Sequence, residues 1–296
     1  MKYKSLLISL ALIFGLMTGC GAPESFSQIA ATTLPVYEFT SRLCEGTGIT
    51  VTRLVTESVS CLHDYSLNVN QVKAAEAAEV IVISGAGLEE FMEDILENAE
   101  CLIDASLDIP LLECEEDSDH DHGHDHDGHN HEVDNHIWLS PKNARTMALN
   151  ICNGLIQKYP QYIDIFTSNL ITLTTELDTL QIYGKTQLAD IACRELITFH
   201  DGFGYFADCF DLTILRAIEE ESGSESSAAE LIELIEEVDH HNLSAIFTEI
   251  SGSVSAASVI SRETGAAIHT LDMAMAGDSY FDALYHNIDT LKEALG

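Results

Sequence analysis

Basic residues are scarce: 13 Lys+Arg stand against 49 Asp+Glu in 296 residues, a formal charge of −36. Binding to a phosphate backbone rests on clustered Lys and Arg, so no nucleic-acid partner is expected. No apolar run reaches the roughly 20 residues that a membrane-spanning helix needs. No two cysteines have the CxxC spacing of a thiolate metal site, and no HExxH pair offers the local acid-base motif of a metallohydrolase. What is present is a folding composition. The chain is 46% hydrophobic, too apolar for a disordered acidic tail, and its length suits about two domains.

Lys2 and Lys4 precede an apolar run, Leu6 to Met17, that lacks acidic residues. This is the layout of a secretory signal. The run ends in Leu16-Met17-Thr18-Gly19-Cys20, which resembles the lipobox of bacterial lipoproteins, so residues 1–19 are expected to be removed and Cys20 acylated. Ordinary cleavage of a soluble exported protein is the alternative. Residues 20–28 read as a tether, and the mature chain is expected on the extracytoplasmic side of the membrane, anchored by lipid rather than spanning it. Seven cysteines then remain. Disulfides are permitted there, but an odd number leaves one thiol unpaired, and most read as small buried hydrophobes.

Short β-rich runs alternate with helix-length amphipathic stretches, which predicts an α/β fold with mainly parallel strands. The expected strands are 49–55, 80–84, 196–199, 212–215, 245–249 and 266–271; the expected helices between them include 70–78, 88–98, 228–239 and 255–263. From Pro160 to about Asp190 apolar residues recur at helical spacing (Ile163, Phe166, Leu170, Leu173, Leu177, Leu180). We read one long helix, 160–190, joining an N-terminal lobe (29–159) to a C-terminal lobe (191–296); two helices broken near Gly184 are the alternative. A segment belonging to neither lobe, 113–134, holds ten acidic residues with His120, His122, His124, His126, His129 and His131. It has no apolar face to bury and reads as a loop. Neutral imidazoles among carboxylates give it weak affinity for zinc, copper or nickel at several registers.

Outside that loop, His63, His136, His200 and Asp272 have positions that argue for a common site. His63 follows strand 49–55, His200 directly follows strand 196–199, Asp272 directly follows strand 266–271, and His136 lies between the acidic loop and the helix entered at Ser140-Pro141. In open α/β sheets ligands bind beyond the carboxyl ends of strands, so the four would converge on a cleft between the lobes. Three imidazoles and a carboxylate match tetrahedral zinc in type and number, whereas calcium or magnesium asks for more oxygens. His240 and His241 read as a helix-end cap or surface pair, His269 as packed within a strand, and His286 as exposed.

Several segments resemble one known family in order along the chain: Thr33-Leu34-Pro35-Val36-Tyr37, His63-Asp64-Tyr65-Ser66-Leu67, Gly85-Ala86-Gly87-Leu88-Glu89, His136-Ile137-Trp138-Leu139-Ser140-Pro141, Phe199-His200-Asp201-Gly202-Phe203-Gly204-Tyr205-Phe206, Glu249 and Leu271-Asp272. They are similar to the ZnuA/TroA-like metal-binding proteins of ABC transporters, and the resemblance covers essentially the mature chain. It implies two α/β lobes on one backbone helix, a metal held by His63, His136 and His200 with Asp272 completing the shell, and delivery of Zn²⁺ to an ABC permease and its ATPase by a monomeric, non-enzymatic carrier. Manganese-binding members commonly carry a carboxylate where His200 stands, and imidazole favours a softer ion. A manganese or iron carrier, or a zinc hydrolase, is the alternative. The chain departs from the family at Leu62, Asn135 and Ser140, where Pro, Pro and Asp are usual, and at Met273-Ala274-Met275 in place of Pro-Leu-Gly. The last departure leaves Glu249 or water as other candidates for the fourth position.

Overall fold

The computed structural model describes residues 26–57, 62, 65–113, 133–218, 226–250 and 254–296. The signal segment and Cys20, most of the tether, His63 and the six loop histidines lie outside them. Two strands of the first half are continuous apolar runs, as strands covered on both faces should be: β1 (Ile29–Ala31) and β3 (Val80–Ile83); β4 (Leu102–Asp104), at the sheet edge, has Leu102 exposed. With β2 (Val51–Arg53) they form one parallel sheet in the order β2-β1-β3-β4. Helices α1 (Leu34–Leu43), α2 (Val69–Ala77), the single turn α3 (Glu93–Leu96) and α4 (Pro141–Lys158) accompany it.

The second half contains β5 (Glu195–Thr198) paired in parallel with β6 (Thr213–Ala217), and β7 (Ala245–Glu249) paired in parallel with β8 (Ala267–Leu271). Helices α6 (Gly204–Phe210), α7 (Ala228–His241), α8 (Ser255–Thr264) and α9 (Tyr280–Leu295) complete it. Between the halves runs α5 (Ile163–Gln187), entered through a 3-10 turn at Pro160–Tyr162. The helix continues unbroken through Gly184. It packs on α1 and α4 from the first half and on α9 from the second. Among the described residues no helix is long and apolar enough to cross a membrane.

The expected α/β architecture with parallel strands and one long helix is therefore present. Three details differ. Strands β1 and β4 had no sequence counterpart, because three residues are too few to display a period. The expected helix 88–98 is instead a 3-10 turn, Glu90–Met92, followed by α3. Met92, at φ −130° and ψ 22°, leaves the helical region and separates the two turns. Side-chain caps set four of the other helix starts. Asn68 with Gln71 and Ser227 with Glu230 form capping boxes for α2 and α7, and Ser140 and Ser279 cap α4 and α9.

Candidate metal centre

The residues before α4 reach the site through a buried turn. Tyr205 from α6 donates its hydroxyl hydrogen to the Asp134 carbonyl at 2.9 Å and accepts the Leu112 N–H at 2.9 Å. Asp134 Oδ1 in turn accepts both the backbone N–H of His136, at 2.9 Å, and its Nδ1, at 2.9 Å. A carboxylate accepts, so Nδ1 carries a ring proton, and in the neutral ring Nε2 is then the nitrogen with the free lone pair. That Nε2 is buried and has no partner. Trp138, two residues on, donates its indole N–H to the Met273 carbonyl at 2.7 Å, and its own carbonyl accepts the Tyr280 hydroxyl at 2.8 Å.

His200 stands just past the carboxyl end of β5, where its carbonyl accepts the Gly202 N–H at 3.0 Å and the Thr198 hydroxyl at 3.2 Å. Its Nδ1 is packed against Oε1 of Glu249, the last residue of β7, without hydrogen-bond geometry. Both side chains are buried, and His200 Nε2 and Glu249 Oε2 have no partner. The imidazoles of His136 and His200 lie with ring centroids 5.2 Å apart. Gly202 faces the space beside them. A Cβ there would stand 2.7 Å from His200 Nε2 and 3.1 Å from His136 Cε1, so the absent side chain is part of what leaves both rings accessible to a common ligand.

Asp272 follows β8 and is held by its neighbours. Its N–H donates to Asn287 Oδ1 and its carbonyl accepts Asn287 Nδ2, each at 2.7 Å. Its Oδ1 accepts the Ala274 N–H at 2.8 Å. Burial raises the Asp272 carboxyl pKa above the ordinary value and nearby Glu249 adds to the rise, while the Ala274 N–H and His286 oppose it. Of the four expected ligands, His136 and His200 are brought together, Asp272 lies at the end of the neighbouring strand, and His63 falls outside the described residues. Among the described residues no group of three His, Cys, Asp or Glu side chains is spaced to hold a metal.

Asp134, Gly202 and Met273 were not singled out by sequence reasoning as parts of the site. The first had a signal, a carboxylate two residues before an expected ligand histidine; the others act through space that only the fold reveals. The remaining histidines behave as expected. His241 at the end of α7 bonds Glu195 Oε2 at 2.9 Å, His269 lies in β8 beside Phe247, and His286 is exposed with Nε2 against the Thr270 carbonyl at 3.0 Å. Cys44 and Cys152 are buried free thiols, and burial pushes Cys44 up to about 12. The centre thus offers two buried imidazole nitrogens, each with a carboxylate at the ring's other nitrogen, which in the neutral rings is a donor set for a borderline divalent cation such as zinc.

Comparison with known proteins places these features in context. The family described as "ZnuA: Zinc-uptake complex component A periplasmic" matches residues 29–294. The chain is 28% identical to the high-affinity zinc uptake system protein ZnuA of Bacillus subtilis, over 99% of this chain and 98% of that protein. It is 27% identical to the zinc-binding lipoprotein AdcA of Streptococcus pneumoniae over 99% of this chain, but spans only 60% of that protein's length. A zinc-bound crystal structure of a ZnuA deletion mutant superposes with a TM-score of 0.76 at 27% identity, covering 92% of this chain and 99% of that one.

Proposed function

The chain belongs to the family of zinc-uptake complex component A proteins, and from that premise we propose that it captures Zn²⁺ outside the cytoplasmic membrane and delivers it to the permease of an ABC transporter, whose ATPase drives uptake. One observation carries the reading. Two buried imidazoles present unpartnered Nε2 atoms to a space that Gly202 leaves empty, and each has a carboxylate at its other nitrogen. His136 and His200 would bind the ion as neutral rings, His63 would supply the third nitrogen, and Asp272 or Glu249 the oxygen. Zinc is cargo here, and the reading asks no catalysis of it.

The remaining organisation follows the same reading: a signal over 1–19, lipid on Cys20, a tether to residue 28, lobes 29–159 and 191–296 on the helix region 160–190, and a monomeric carrier. The loop 113–134, with His120 to His131, would hold further ions weakly. Offering equimolar Zn²⁺ and Mn²⁺ to protein lacking residues 119–131 tests the reading. One tightly held zinc is expected, weakened by at least about tenfold in His200→Ala, the scale of losing a well-placed metal partner. Preferential manganese binding, or zinc binding indifferent to His200→Ala, would refute it.

A further inference from the structure

Met273 follows Asp272 and is buried, 4% exposed. It is fixed from both sides: its carbonyl accepts the Trp138 indole N–H at 2.7 Å, and the next residue, Ala274, at a left-handed φ of 54°, returns its N–H to Asp272 Oδ1 at 2.8 Å. The side chain runs to the imidazole pair. Its terminal methyl, Cε, lies 2.8 Å from the point a Gly202 Cβ would occupy, the same point that is 2.7 Å from His200 Nε2 and 3.1 Å from His136 Cε1. Gly202 therefore opens a space and the methionine methyl borders it, beside the nitrogens that have no partner.

We infer that Met273 is a selectivity-determining residue, an apolar cover that denies water to the ion held between His136 and His200. The inference rests on the proposed metal site and adds a cause of its preference. Zinc is satisfied by four ligands, whereas harder ions of this charge complete larger shells with water and other oxygens. A methyl group beside the imidazoles offers no lone pair and takes the room a fifth or sixth water would need. Methionine suits the position because its unbranched, adaptable chain fills irregular gaps.

Cobalt(II) provides the test, since its visible spectrum reports coordination number, together with Zn²⁺/Mn²⁺ competition on the same protein. Wild type and Met273→Leu should both give the intense absorption of four-coordinate cobalt and the same zinc preference. Met273→Gln and Met273→Ala, one conserving volume and one opening space, should each give the weak absorption of a water-expanded shell and lower the zinc-to-manganese ratio by about tenfold. Wild-type spectra and ratios in both Gln and Ala variants would overturn the cover. So would loss of both properties in Met273→Leu, which would make the sulfur itself the ligand. Wild type that binds neither ion tightly would instead defeat the metal-site reading beneath it.

Discussion

Gly202 and Glu89 show how single side chains, one absent and one buried, shape this protein. Gly202→Ala would place a methyl group 2.7 Å from His200 Nε2, inside any normal contact distance, and the ring is too enclosed to yield freely. Zinc affinity should fall by well over tenfold, alongside the modest loss of stability, about 1–3 kcal/mol, that overpacking causes; calorimetric titration showing unchanged affinity would contradict the placement of the site. Glu89 is buried and accepts the Thr32 hydroxyl at 2.6 Å, the Ser84 N–H at 2.7 Å and the Gly85 N–H at 3.0 Å, joining the carboxyl ends of β1 and β3. Burial outweighs those bonds and pushes its carboxyl up to about 7. Because the folded value exceeds the unfolded one, its contribution to stability is fully present below the unfolded value and is lost as pH rises through about 7. Denaturation at pH 5 and pH 8 should show Glu89→Gln gaining on the parent by roughly 3 kcal/mol between the two. A constant difference would mean that Glu89 titrates normally.

At the scale of elements, the long helix was legible because its apolar spacing extends over many turns, and β7 was legible to the residue because Ala245–Glu249 is an uninterrupted buried run. The end of β5 was clear to within one residue, Thr198 rather than Phe199, and with it the place of His200. Strands β1 and β4 were not, since three residues carry no period, and the break at Met92 that splits the expected helix depends on backbone angles. Gly184 was ambiguous for a related reason: glycine weakens a helix interior by about 1 kcal/mol, and only the packing reveals why it is kept. A Cβ there would meet Phe210 at 2.3 Å and Ile288 at 3.1 Å, and Phe210 is buried. Overpacking costs about 1–3 kcal/mol and should outweigh the gain in helix propensity. Gly184→Ala is therefore expected to lower the melting temperature; a rise would mean α6 and α9 are free to move away from α5.

For the whole molecule, the two halves share more than the connecting helix. Arg53 at the end of β2 donates to the Gly277 carbonyl at 2.8 Å, the Tyr280 N–H donates to Glu38 Oε2 at 2.6 Å, and the Tyr280 ring meets Phe39 edge-on at 5.0 Å. One apolar core includes Phe39, Trp138, Leu177 and Tyr280 together. The segment from Asp272 to Tyr280 thus ties the end of β8 to the turn that carries His136, so an ion held by both halves, as proposed, would be coupled to a joint that resists wide opening. The acidic charge attracts cations generally, whereas selection, on the proposed reading, would fall to a few neutral rings. X-ray absorption at the zinc edge, on protein lacking residues 119–131 and loaded with one equivalent of zinc, tests that central claim most directly. The account predicts three imidazole nitrogens and one carboxylate oxygen at about 2.0–2.2 Å; a shell of oxygens alone, or one containing sulfur, would contradict it.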